Sequence, residues 1–187
     1  MRFNYTLIQS FKYRKKLALY LNPNDQLNQV SSLTATDLNN MQIKALALDF
    51  DGVLAPHGDI APLTAIELWL KNLSNDWKGQ IFILSNKPFQ EREHYFKTYF
   101  PEIQFIKNVA KKPYPDGLNK ITLLAQCESQ EVLMIDDRLL TGMLAASISG
   151  TKGLLLNPAL KKPGLHPHEL FFALLRRLDR FLIGVIS

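Results

Sequence analysis

Lys44-Ala-Leu-Ala-Leu-Asp-Phe-Asp-Gly-Val-Leu54 is the stretch that decides how this chain reads. An apolar run ends there in two acids, Asp49 and Asp51. A strand buried on both faces is close to a continuous hydrophobic run, and open α/β sheets bind ligands beyond the carboxyl ends of their strands. Residues i and i+2 of a strand share a face, so two carboxylates enter one crevice. They repel unless a cation or a shared proton intervenes. That suits a hard divalent cation and phosphoryl chemistry; the plainer alternative is a strand end whose acids cap the next loop.

Outward from this run, strand and helix patterns alternate. Toward the N-terminus, Asn22-Pro-Asn-Asp25 breaks a first helical segment. Residues 26–42 read as a short extended piece and then a helix, with Thr36 or Asp37 as its cap. The first core strand is about 43–50. Leu63, Ile66, Leu70 and Leu73 are spaced for a helix over 63–74, and Thr64 with Glu67 suggests a capping box. Gln80–Leu84 reads as a second strand, 89–99 as a helix stopped by Pro101, and 103–106 as a third strand. A helix at about 115–126, a strand over 132–135, a helix at about 139–148 and a strand at 153–156 complete the pattern. Such alternation implies right-handed βαβ crossovers. The expected fold is therefore a three-layer, Rossmann-like α/β domain with a mostly parallel sheet. The expected organisation is a basic and aromatic helical segment over 1–42, a core over 43–160 and an amphipathic helix over 161–187.

Composition narrows the functional classes. The 187 residues carry a formal charge of +5 with 47% hydrophobic and 21% charged residues, ordinary for a globular chain but tilted toward anionic partners. One cysteine, Cys127, leaves no intramolecular disulfide framework and no thiolate zinc cluster. Neither Gly-x-x-x-x-Gly-Lys-Ser/Thr nor Gly-x-Gly-x-x-Gly occurs, and no run reaches the roughly 20 apolar residues that span a bilayer. No secretory signal is evident, so the expected location is cytoplasmic. Residues 1–21 mix Phe3, Tyr5, Ile8 and Phe11 with Lys12, Arg14, Lys15 and Lys16. Such a segment either packs on the domain or lies on an anionic membrane surface. The tail from Phe171 to Ile186 reads as an amphipathic closing helix, with surface or partner binding the alternative.

Four polar groups fall at successive strand ends: Asp49 with Asp51, then Ser85 followed by Asn86, then Lys112, then Asp136 with Asp137. Metal-assisted phosphoryl transfer needs these types. A carboxylate nucleophile must be neutralised before it meets an anionic phosphate, and magnesium held by oxygen ligands does that while polarising the phosphoryl group. A hydroxyl and a lysine hold the phosphate oxygens, and a second carboxyl protonates the leaving alcohol and later activates water.

These residues resemble the haloacid dehalogenase superfamily of phosphotransferases. Asp49-Phe-Asp51-Gly-Val-Leu looks like its first motif, Phe82-Ile-Leu-Ser85-Asn its second, Lys112-Pro113 its third and Met134-Ile-Asp136-Asp137 its fourth. The resemblance implies that Asp49 forms an aspartyl-phosphate and Asp51 is the general acid and base. Asp51 would also lend its backbone carbonyl to Mg2+. It further implies that Ser85 and Lys112 bind phosphate and that Asp49 and Asp137 hold Mg2+, with Asp136 the alternate. Asn86 either orients phosphate or shapes its loop. Arg138 is either an ion-pair partner or a substrate contact.

Leu21-Asn-Pro, Pro62-Leu-Thr, Trp69-Leu, Ser85-Asn86, Ala110-Lys-Lys-Pro113 and Asn157-Pro158 are similar to subfamily IIIA, and within it to the phosphatidylglycerophosphate phosphatases. Three departures stand out. Gly52-Val53 replaces the family's Asn-Thr, Asp136-Asp137-Arg138 replaces Gly-Asp-Gln, and Gly142 stands where a further aspartate is expected.

About 33 residues separate Asp51 from Ser85 and about 26 separate Ser85 from Lys112, so neither interval holds a large cap domain. An uncapped crevice is expected, and it favours a bulky phosphomonoester such as a phospholipid headgroup, with nucleic acid disfavoured. The competing readings are a phosphatase of another bulky or small soluble phosphomonoester, and a non-catalytic binding module with a decayed site.

Overall fold

The computed structural model describes residues 2–164 and 166–186; Met1, Leu165 and Ser187 lie outside them. Six strands form one parallel sheet: β1 (Gln26–Leu27), β2 (Ala45–Leu48), β3 (Gln80–Ile83), β4 (Gln104–Phe105), β5 (Val132–Asp136) and β6 (Lys152–Leu156). Their order is β1-β6-β5-β2-β3-β4. From β2 the chain winds outward through β3 to β4, then returns to the other side for β5 and β6. The reversal lies between β2 and β5, and a crevice opens beyond the carboxyl ends of strands at such a point.

Eight α-helices accompany the sheet among the described residues: α1 (Arg2–Lys12), α2 (Arg14–Leu19), α3 (Ala35–Asn40), α4 (Thr64–Asp76), α5 (Gln90–Tyr99), α6 (Asp116–Ala125), α7 (Leu144–Ser149) and α8 (Pro167–Ile186). Alternation along the strands divides the core in two. Leu46 and Leu48, Ile81 and Ile83, and Leu133 and Ile135 face α4 and α5, packing on Ile66, Leu70, Leu73 and Phe96. Ala45 and Ala47, Phe82, Val132 and Met134 face Leu118 and Ile121 of α6 and Leu144 of α7. Small alanines on one side of β2 and leucines on the other match the two layers. Trp69 and Phe100 are also buried in the first layer, the indole N–H of Trp69 donating to the Leu33 carbonyl at 2.8 Å.

The expected three-layer α/β fold is the observed one. Local details differ. The cap of α3 is Thr34, two residues before the expected pair: its hydroxyl accepts from Asp37 N at 3.1 Å while the Asp37 carboxylate accepts from Thr34 N at 2.9 Å. Thr64 does not cap α4, because it is already the first helical residue; Leu63 precedes it, and its carbonyl takes the first helical bonds. Glu67 instead accepts from the Tyr95 hydroxyl, a partner 28 residues away. The helix expected over 139–148 begins as a π-helical turn, Leu139–Met143, before α7. The extended piece after Asp25 becomes an edge strand, β1, paired with β6 through Gln26–Leu155 and Leu27–Leu156.

Candidate active site

Register places the acids. Leu48 of β2 lies opposite both Ile83 of β3 and Ile135 of β5, so the next residues, Asp49 and Asp136, stand at one level at the end of the sheet. Asp49 N donates to the Ile135 carbonyl at 3.0 Å, continuing the ladder by one step. Asp137 follows, and one oxygen from each of Asp49, Asp136 and Asp137 falls within 4.8 Å of the others. Among the described residues this is the one such cluster of metal-ligating types. An all-oxygen, carboxylate-rich donor set fits a hard divalent cation such as Mg2+.

Lys112 enters this cluster from the loop before α6. Its side chain is 2% exposed, with Nζ 2.5 Å from Asp136 Oδ2 and 3.1 Å from Asp49 Oδ2; the neighbouring Lys111 is exposed. Burial opposes the Lys112 charge, but Asp136 and Asp49 outweigh it and raise the ammonium above its ordinary value. Burial pushes the Asp49 carboxyl well above the usual range; Lys112 pulls it down, while Asp136, Asp137 and Asp51 push it further up. Asp137 rises to about 7, first through burial and then through Asp136, against the pull of Arg176. The cradle therefore favours cations near these oxygens.

Asn86 pins the lysine loop: its Oδ1 accepts from Lys112 N at 2.7 Å and its Nδ2 donates to the Lys112 carbonyl at 3.3 Å. Of the two alternatives for Asn86, loop shaping is the one the contacts display. Ser85 lines the same cavity as Asp49, Asp51 and Asp137, and its hydroxyl accepts from Lys87 N at 3.1 Å.

Asp51 turns to a partner that sequence reasoning missed. Arg92 of α5 is fully buried and bidentate, donating from Nη2 to Asp51 Oδ1 at 2.7 Å and from Nη1 to Oδ2 at 3.0 Å. Its guanidinium carbon also lies 3.9 Å from the centre of the Phe50 ring. Burial disfavours the Asp51 anion, yet the Arg92 hydrogen bonds and charge, with the Gly58 amide, hold it below the usual carboxylate range. Nothing marks Arg92 among the charges of residues 90–97; only packing shows that it points inward.

Two glycines near the acids have steric reasons. Gly52 has φ +84°, and a Cβ there would sit 2.7 Å from Asp137 Oδ2. A Cβ on Gly142 would sit 2.2 Å from the Asp136 Cβ and 2.3 Å from its Oδ2. Asp136 thus fills the space that a side chain at 142 would take.

The uncapped crevice needs correction. Among the described residues there is no cap domain, but α8 lies across the mouth. Phe172 lines the cavity and its ring centre is 3.7 Å from that of His57. Arg176 donates to Asp137 Oδ2 at 2.6 Å. Arg138 is an ion-pair partner, donating to both oxygens of Asp179 at 2.6 and 3.0 Å. The residual cavity is about 80 Å³. No motif signals these contacts, because they join residues about 40 to 115 apart through packing alone.

The sequence profile of the mitochondrial PGP phosphatase family matches residues 15–161. The chain belongs to this family. With it comes assignment to the haloacid dehalogenase-type phosphatases, as the four motifs and the parallel sheet lead one to expect. No curated protein is matched. Similar solved structures include an uncharacterized protein from Listeria monocytogenes serotype 4b (TM-score 0.49, 15% identity, 67% of this chain and 85% of that one). An uncharacterized protein from Corynebacterium glutamicum gives 0.47, 16%, 76% and 96% in the same order. A haloacid dehalogenase-like family hydrolase from Streptococcus pneumoniae gives 0.41, 13%, 71% and 99%. No described helix of this family member is long and apolar enough to cross a membrane.

Proposed function

We propose that this phosphatase hydrolyses phosphatidylglycerophosphate to phosphatidylglycerol through an aspartyl-phosphate on Asp49. The observation that carries the reading is Asp49 itself: a buried strand-end carboxylate paired to Lys112 and grouped with Asp136 and Asp137. Mg2+ would be held by Asp49, the Asp51 carbonyl and Asp137, with Asp136 beside them, and when bound supplies charge neutralisation and polarisation of the phosphoryl group. Lys112 and the Ser85 hydroxyl hold the phosphoryl oxygens. Asp49 attacks phosphorus and the ester oxygen leaves with a proton from Asp51. Asp51 then takes a proton from water as that water attacks the aspartyl-phosphate, releasing phosphate and restoring Asp49. Arg92 sets the direction of the Asp51 carboxyl; its hold must relax for Asp51 to carry a proton.

Size and surface support a lipid substrate. A cavity of about 80 Å³ is far below the roughly 300–1,000 Å³ of sites that enclose a small ligand, so it admits a phosphoryl group and leaves the rest of the substrate outside. Beside it, α8 exposes Leu170, Phe171, Leu174 and Phe181; α1 exposes Phe3, Ile8 and Phe11, followed by Lys12, Arg14, Lys15 and Lys16. Exposed apolar side chains with lysine and arginine suit peripheral docking on an anionic bilayer from the cytoplasmic side. The test is a turnover screen with Mg2+ over vesicle-borne phosphatidylglycerophosphate and soluble phosphomonoesters, wild type beside Asp49→Asn. Selective lipid turnover, abolished in Asp49→Asn, is expected. Preference for a small sugar phosphate, or full activity in the folded variant, would overturn the reading.

A further inference from the structure

Helix α8 meets the site with its charged side and solvent with its apolar side. Arg176, its side chain only 12% exposed, donates to Asp137; Asp179 receives Arg138; Glu169 accepts from the amides of His57 and Lys162 at 3.2 and 3.3 Å. Ile183 is the one apolar side chain of α8 that is fully buried, whereas Leu170, Phe171, Leu174, Phe181 and Val185 are each more than half exposed. Leu182 and Ile186 pack on the core beside Ile183, and Phe172 packs on His57, but the part of α8 over the acids is held by polar ties. A segment held in that way opens locally at low cost.

Charge balance gives the tie a meaning. Asp49, Asp136 and Asp137 face two cationic side chains, Lys112 and Arg176. A divalent cation added beside Arg176 would carry the cluster past neutrality. The same cation in place of Arg176 would bring it to neutrality. The guanidinium holds Oδ2 of Asp137, an oxygen of the same cluster that would face the cation.

We propose that α8 is an autoinhibitory strap: Arg176 stands at Asp137 in the place of a divalent cation, and the cation loads as Arg176 withdraws. This rests on Asp137 being a cation ligand, as in the function proposed above. It makes a prediction opposite in sign to an ordinary supporting role. A residue that merely orients a metal ligand weakens metal binding by about 10–100-fold when removed. A residue that competes with the metal strengthens binding when removed.

The test titrates Mn2+ into the full chain and reads free Mn2+ by electron paramagnetic resonance. Arg176→Met should bind Mn2+ at least about tenfold more tightly than wild type, the lower end of what close charge pairs contribute. A second measurement needs no variant: hydrogen exchange of wild-type α8 should accelerate when Mn2+ is added. Binding unchanged or weaker in Arg176→Met, or α8 exchange unchanged or slowed by Mn2+, overturns the strap. Failure of both proteins to bind Mn2+ overturns the cation site as well, and the metal-dependent function with it.

Discussion

That Asp136 takes the room above Gly142 can be tested by moving the carboxylate from 136 to 142. Asp136→Gly removes the acceptor of a 2.5 Å contact from Lys112, both groups at most 2% exposed. Breaking a buried pair from one side costs about 3–5 kcal/mol, and glycine at a strand end adds up to about 1 kcal/mol. Gly142→Asp puts a Cβ within 2.2 Å of the Asp136 Cβ, an overlap that costs about 1–3 kcal/mol before the added charge counts. Glycine is required at 136, because the Asp136 Cβ is itself part of the clash. The double variant removes the overlap and returns an acid to the cluster. Its destabilisation should therefore be smaller than the sum of the singles by about 2 kcal/mol. Urea unfolding in the presence of a chelator reads this directly. With a slope of about 2 kcal/mol/M, the double variant's midpoint should lie about 1 M above the additive value. A midpoint within about 0.25 M of additivity would show that the two positions do not share one space, and the reasoning would fail.

Two further outcomes follow from the site. Asp137 is raised to about 7 in the folded protein from an ordinary 3.8, first by burial and then by Asp136. Folding thus favours its protonated form: this contribution is complete below the unfolded value and is lost as pH rises through the folded one. Tm in chelator should fall from this group between about pH 4 and 7. A cation needs the ionised ligand, so the Tm gain from Mg2+ should grow across that window; a gain independent of pH would refute it. Arg92→Gln leaves Asp51 without its buried bidentate partner and should cost about 3–5 kcal/mol in urea unfolding. Adding Asp51→Asn should recover part of that loss; equal loss in the double variant would show that Arg92 acts through packing on Phe50 instead.

What was legible in the residues was whatever repeats or clusters locally. The apolar runs at β2, β3 and β5 mark strands because both their faces are buried, and the acids, serine and lysine after them mark the crevice because strand ends converge. Caps were less legible. Thr34, Thr36 and Asp37 all offer cap chemistry, and the choice among them depends on where the chain turns into α3. Thr64 and Glu67 have the spacing of a capping box, but Tyr95 competes for the glutamate from another helix.

The sequence by itself determined the sheet and the phosphatase class, and it set out the candidate site residues, since these depend on periodicity and on residue chemistry at strand ends. Only the tertiary structure decided that Arg92 is buried against Asp51, that Asp136 takes the room above Gly142, and that α8 closes over the Asp49–Asp51 crevice with Arg176 on Asp137. Those contacts join side chains far apart in the chain. Whether an arginine faces water or a carboxylate depends on which helix packs where, and no local pattern encodes that.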